Sequence, residues 1–93
     1  MKPVLLALSF LSEEHRAQMA QAFEVLYAPD AAQAAAAIAQ HGSRVRVVLT
    51  IGATGLSPAQ IDALPALTLI GVLGAGYENV AVQHAKARGI VVA

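Results

Sequence analysis

The chain has 93 residues, of which 57% are hydrophobic and 13% are charged, and its formal net charge is zero. This composition is too apolar for a disordered chain, and the neutral charge argues against a nucleic-acid or anionic-membrane surface. The absence of cysteine excludes disulfides and thiolate metal ligands. No apolar run reaches the roughly 18–20 residues of a membrane span. We therefore predict one small cytoplasmic domain.

Short apolar runs alternate with helix signals along the whole chain. The predicted strands are Val4–Leu8, Glu24–Ala28, Val45–Thr50, Leu67–Leu73 and Ile90–Val92. The predicted helices are Glu13–Ala22, Ala31–Gln40, Pro58–Ala63 and Ala81–Arg88. Ser12, Asp30 and Ser57 are typical N-cap residues for the first three helices. Gly42 and Gly89 stand where a glycine commonly ends a helix in the left-handed conformation.

The element order is βαβαβαβαβ, and the strands are continuous Val/Leu-rich runs without polar alternation. This pattern predicts an open parallel sheet with helices on both faces. Right-handed crossovers favour the flavodoxin-like strand order 2-1-3-4-5 over half of a Rossmann fold. Because nothing follows the fifth strand, residues 1–93 are expected to form a domain truncated after that strand. The flank left bare predicts self-association, with a homodimer expected.

Two glycine loops follow the third and fourth predicted strands, at the carboxyl edge where parallel sheets bind ligands. They are Gly52–Gly55 and Gly74–Gly76. The second could be a dinucleotide turn, a small-anion contact made by backbone amides, or a structural turn without a ligand. A dinucleotide fingerprint needs a third small residue, and Asn79 stands there. It also needs an acid about twenty residues further on, beyond Ala93. A small anion such as a carboxylate is therefore favoured.

Acid–base and metal chemistry have few candidate residues. His15 and His84 lie on predicted helices and His41 at a helix end, which favours solvated roles. Glu78 is the carboxylate nearest the second glycine loop, and with Asn79 it is expected to bond that loop or to cap the next helix. Thr50 and Thr54 have no base beside them. We predict no catalytic residue and no metal site in this chain.

Four motifs occur in series along the second half of the chain. They are Thr50-x-Gly52-Ala53-Thr54-Gly55-Leu56, Leu64-Pro65-Ala66-Leu67, Gly74-Ala75-Gly76-Tyr77-Glu78-Asn79-Val80 and Ala85-x-x-Arg88-Gly89-Ile90-Val91-Val92. Their order and spacing resemble the N-terminal, substrate-binding segment of the D-isomer-specific 2-hydroxyacid dehydrogenases, in the branch of glyoxylate and hydroxypyruvate reductases.

The resemblance implies a flavodoxin-like substrate-binding domain that acts with a separate nucleotide-binding domain to reduce 2-oxoacids with NADH or NADPH. It also implies a substrate-binding set formed by Gly74, Ala75 and Gly76, with the amides of the last two on the substrate carboxylate, and by Ile51, Gly52 and Ala53. The family's cofactor site and catalytic groups lie beyond position 93. This chain alone is therefore expected to be inactive and to bind no NAD or NADP.

Two positions depart from the pattern of this branch. Ile51 stands where an asparagine is expected, and Ala81 stands where an aspartate often begins the helix. The sequence also allows a second interpretation, in which the protein is not an enzyme. The chain could be a stand-alone flavodoxin-like module that binds a small anion, or serves assembly, without catalysis.

Overall fold

The fold is a five-stranded, all-parallel sheet with the strand order β2-β1-β3-β4-β5, in a computed structural model that describes residues 2–74 and 76–93. The strands are β1 (Val4–Ala7), β2 (Glu24–Tyr27), β3 (Val45–Ile51), β4 (Leu69–Leu73) and β5 (Val91–Val92). The helices are α1 (Glu13–Ala20), α2 (Ala31–His41), α3 (Pro58–Asp62) and α4 (Val82–Ala87). The predicted fold class and strand order are confirmed.

The predicted N-caps act through short local hydrogen bonds. Ser12 and Asp30 each accept a bond from the backbone N–H three residues further on, at 3.2 and 2.8 Å. Ser57 and Gln60 form a reciprocal capping box, with bonds of 2.9 and 3.1 Å. These bonds satisfy amides that have no partner within the first turn, so each helix begins at the residue after its cap.

The two faces of the sheet carry separate apolar clusters. On one face, Leu6, Val48 and Ile70 are fully buried in a cluster that includes residues of α2, α3 and α4. On the other face the cluster around Leu5 is packed by Met19 of α1. Right-handed crossovers place α1 opposite the other three helices, since only the first connection runs toward the β2 edge.

The face shared with α1 is incompletely covered toward β5. Leu73 and Val91, which lie on that face of β4 and β5, are 42% and 60% exposed. The described helices therefore leave this face only partly covered at its β4–β5 end. Within residues 2–74 and 76–93, no helix combines the length and the hydrophobicity needed to cross a membrane.

Gly42 corrects one prediction. It has φ −52° and begins a 3-10 turn, Gly42–Arg44, so it does not end α2 in the left-handed conformation. A Cβ atom at this position would lie 2.7 Å from the carbonyl oxygen of Ala63. Glycine is needed here because the chain after α3 approaches the backbone closely. Gly89, with φ +76°, follows α4 as predicted.

Candidate functional site

The two glycine loops leave the sheet side by side. Ile51, the last residue of β3, is paired in register with Leu73, the last residue of β4. A Cβ atom on the buried Gly52 would lie 3.0 Å from the carbonyl oxygen of Gly76, so the two loops are in close contact. The fold thus brings Ile51, Gly52, Gly74 and Gly76 to one edge of the sheet. Ala75 lies outside the described residues.

Backbone and side-chain hydrogen bonds join these loops. The Asn79 backbone N–H donates to the Gly52 carbonyl at 3.1 Å. Its side-chain Nδ2 donates to the Ala53 carbonyl at 2.8 Å. The Leu56 N–H donates in turn to the Asn79 carbonyl at 2.9 Å, and Leu56 forms a parallel bridge with Val80. Asn79 therefore bonds the first loop, whereas the sequence predicted a bond to the second loop. These hydrogen bonds join the two loops directly.

Thr50, near the end of β3, holds the first loop through a buried hydrogen bond. Its side chain is fully buried, and Oγ1 donates to the Gly55 carbonyl at 2.9 Å. The Gly55 N–H donates to the Ile51 carbonyl at 2.7 Å, which closes the turn. From the sequence, Thr50 was considered for catalysis and as the first residue of the first motif, but not as a support for the loop. Its position at the end of a buried strand, before a glycine turn, was the signal for this supporting role.

The second loop does not have the shape of a dinucleotide turn. Gly74 and Gly76 have φ +82° and +115°, so neither residue has helical backbone geometry. α4 begins only at Val82, six residues after Gly76. A pyrophosphate turn opens directly into the helix that follows it, so that the phosphates meet the helix N-terminus. The described residues therefore do not fit a dinucleotide turn.

Glu78 contacts both glycine loops, whereas the sequence predicted a contact with the second loop only. Cβ atoms built on Gly52 and on Gly76 would each overlap the Glu78 carboxylate. The carboxylate therefore lies against both glycines, between the loops, although the residue as a whole is exposed. The interpretation of Glu78 as a cap of the following helix is not supported, because Ala81 is the N-cap of α4.

The histidines lie on helices, as predicted from the sequence, at positions 15, 41 and 84. His84 Nε2 is 2.8 Å from an Asp62 carboxylate oxygen, and His41 Nδ1 is 3.1 Å from the Arg44 guanidinium. Both contacts are on the exposed surface. These partners belong to helix ends rather than to the glycine loops, so the contacts assign no acid–base role at the candidate site.

Two cavities of the described chain are lined mainly by residues outside the two glycine loops. One, of about 600 Å³, is at the amino ends of the strands, where Lys2, Arg44 and Arg46 line it together with Glu24. The other, of about 330 Å³, borders the first loop at Thr54. Neither cavity is lined by Gly52, Gly76 or Glu78, so the candidate site does not coincide with either of them.

A family described as "D-isomer specific 2-hydroxyacid dehydrogenase, catalytic domain" matches residues 4–93. The chain therefore belongs to this family and forms part of its catalytic domain. The predicted resemblance is confirmed at this level. No curated protein matches the sequence significantly.

Solved structures give the same assignment. A 2-hydroxyacid dehydrogenase from Ketogulonicigenium vulgare Y25 is 37% identical, with a TM-score of 0.87 over 99% of this chain and 29% of that one. An NADPH-dependent glyoxylate/hydroxypyruvate reductase from Sinorhizobium meliloti, in complex with NADP and malonate, is 29% identical, with a TM-score of 0.80 over 99% and 28%. A glyoxylate reductase from Paecilomyes thermophila, 16% identical with a TM-score of 0.80 over 98% and 31%, shares the fold. The chain spans less than a third of each of these proteins.

Proposed function

We propose that this chain is the substrate-binding segment of an NAD(P)-dependent D-2-hydroxyacid dehydrogenase that reduces a small 2-oxoacid of the glyoxylate or hydroxypyruvate type. The observation that carries the proposal is the family match over residues 4–93, together with the two glycine loops at one sheet edge. The relatives named for glyoxylate and hydroxypyruvate reduction support the substrate class.

In this proposal the backbone of the second loop binds the substrate carboxylate. The amides of Ala75 and Gly76 are the donors, and the first loop, through Ile51, Gly52 and Ala53, lines the same pocket. Backbone N–H groups that converge on a concave turn stabilise an anion without a positive side chain. Gly76, with φ +115°, leaves the approach to its own amide free of a Cβ atom. Gly74 provides the turn that precedes these donors.

The cofactor belongs to a different part of the enzyme in this proposal. Two observations support this location: Asn79 replaces the third small residue of a dinucleotide turn, and α4 begins too far from the loop. NAD or NADP, which supplies or accepts the hydride, would be held by a nucleotide-binding domain acting with this chain. The chain's own contribution is to orient the 2-oxoacid and to stabilise the negative charge of its carboxylate.

The experiment that tests this function is a chimera. The 93 residues replace the matching segment of the Ketogulonicigenium vulgare relative, and oxidation of NADH and NADPH is followed with glyoxylate and hydroxypyruvate. We expect reduction of one or both substrates, while the unmodified relative serves as the positive control. A folded chimera, judged by circular dichroism and cofactor binding, that reduces neither substrate would contradict the proposal.

We also propose that the chain forms a homodimer in the cytoplasm. The exposed Leu73 and Val91 on the partly covered face of β4 and β5 support self-association, as does the zero net charge. The absence of cysteine supports a reducing compartment.

A further inference from the structure

The Glu78 carboxylate lies beside the backbone that is proposed to bind the substrate carboxylate. It lies against the Cα atoms of Gly52 and Gly76, so close that a methyl group on either glycine would overlap it. It extends from the loop after β4 to the loop after β3. The chain therefore places one negative charge of its own beside the backbone proposed to bind the substrate carboxylate.

We propose that Glu78 is a specificity-determining residue that disfavours ligands with a second carboxylate. The site then takes 2-oxoacids that carry one carboxylate and an uncharged substituent. This inference rests on the proposed function, because it assumes that the glycine loops hold a carboxylate. It goes further than the proposed function, because it names one side chain that selects substrates by their net charge.

The charges of the described residues are consistent with this role. Lys2, Arg44 and Arg46 line the cavity at the opposite, amino edge of the sheet. Arg88 donates to the carbonyl groups of Ile61 and Leu64 at the end of α3. These cations are engaged or located away from the glycine loops. Backbone amides can compensate the first carboxylate of a ligand, whereas a second one would meet the charge of Glu78.

Flexibility of the glutamate explains how the first carboxylate is admitted. Glu78 is exposed, so its side chain can rotate toward solvent when a ligand reaches the amides. We expect the rotated carboxylate to stay close to the other end of a small ligand. Repulsion between two carboxylates at that separation on a protein surface corresponds to about a tenfold loss of affinity, or about 1.4 kcal/mol.

Anion binding to the chain itself tests the proposal independently of enzyme activity. We would titrate the ¹⁵N-labelled chain with malonate and with malonamate, which replaces one carboxylate by a neutral amide. The amide signals of Gly52 and Gly76 report binding. In the wild type we expect malonamate to bind about tenfold more tightly than malonate, at a pH at which both malonate carboxyls are ionised. In Glu78→Gln the difference should disappear, and at high salt the wild-type difference should shrink.

The matched control is Asp62→Asn, which removes an equal charge from the far end of α3 and should leave the wild-type discrimination unchanged. Equal discrimination in the wild type and in Glu78→Gln would overturn the inference, as would the failure of both anions to bind either protein. A glutamine retains the size of the glutamate, so a purely steric role would leave the ratio unmoved.

Kinetics of the chimera separate this inference from the proposed function. Glu78→Gln should raise kcat/KM for oxaloacetate about tenfold relative to that for pyruvate. An active chimera without that change would overturn the role of Glu78 and leave the function standing. An inactive chimera, with charge discrimination still present in the titrations, would overturn the function and leave the role of Glu78 standing.

Discussion

Gly55 lies directly against the backbone of Asn79, so that a Cβ atom at Gly55 would clash with the Asn79 carbonyl group. Gly55 also has φ +67°, in the left-handed region. This contact lets the loop after β3 dock on the loop after β4, where the Leu56 N–H bonds the Asn79 carbonyl at 2.9 Å. The proximity of the two predicted substrate loops therefore depends on the missing side chain of Gly55.

The Gly55→Ala variant should lose about 2–5 kcal/mol of unfolding free energy. About 1–2 kcal/mol comes from the left-handed conformation and about 1–3 kcal/mol from the clash with Asn79. Urea denaturation provides the measurement. Gly89→Ala is the matched control, because Gly89 has φ +76° but open space around its Cβ position, so only the conformational cost applies. Equal losses in the two variants would show that the loop contact contributes nothing.

Removal of the Thr50 hydroxyl should loosen the first loop while retaining the shape of the core. Thr50→Val leaves the buried Gly55 carbonyl without its side-chain donor, which costs about 1–3 kcal/mol. Thermal and urea unfolding measure the loss. Thr68→Val is the control, since the Thr68 hydroxyl donates to the Arg46 carbonyl at an exposed site and its loss should cost less than about 0.5 kcal/mol. A Thr50 variant as stable as this control would contradict the assignment.

The parts of the fold that local rules determine could be predicted from the sequence. The strand order follows from alternating elements and right-handed crossovers, and the caps Ser12, Asp30 and Ser57 act through bonds to residues only three positions away. Close contacts between residues that are distant in the sequence could not be predicted in the same way. Gly42 resembles a helix-ending glycine, but its role is set by Ala63, twenty-one residues away along the chain.

The candidate site shows the same division. The sequence located both glycine loops at the carboxyl edge, because the ends of parallel strands meet there. The direction of the Glu78 side chain depends on how the two loops dock, which no local pattern specifies. The role of Asn79 could be predicted in part from the sequence, since an amide side chain after a glycine loop commonly bonds nearby backbone. Its actual partner, the Ala53 carbonyl, depends on the tertiary contact.

An N-cap for α4 should stabilise the chain. Ala81 occupies the N-cap position and has no hydrogen-bonding side chain, so Ala81→Asp would supply an acceptor for the first-turn amides of α4. We expect a gain of about 0.5–1 kcal/mol and a higher Tm. Ala81→Asn separates the hydrogen bond from the charge, and it should retain most of the gain. A loss of stability in both variants would mean that packing of the half-buried Ala81 outweighs the cap.

The proposed binding of the substrate carboxylate by the second glycine loop can be tested in the active chimera. A larger side chain in that loop should block the backbone amides. Gly76→Val should reduce kcat/KM for glyoxylate by about 10²-fold or more, because a branched side chain overlaps the Glu78 carboxylate and displaces the substrate from the amides. Ala75→Gly retains the N–H group and should be mild. Gly89→Val imposes comparable backbone strain away from the loop and should leave the kinetics unchanged. Wild-type kinetics in Gly76→Val would contradict the proposed binding of the carboxylate by the amides of the second loop.

Self-association should depend on the exposed end of the sheet. Val91 is 60% exposed on β5, an edge strand of two residues, and Leu73 is 42% exposed on the neighbouring strand. An apolar edge of this kind can pair with a second chain, and a lysine placed there opposes such pairing. We expect sedimentation velocity at high micromolar concentration to show a dimer for the wild type and a monomer for Val91→Lys. Ala36→Lys adds the same charge on the exposed side of α2 and should remain dimeric. A wild type that stays monomeric would exclude the proposed homodimer, and dissociation of both variants would assign the effect to net charge rather than to β5.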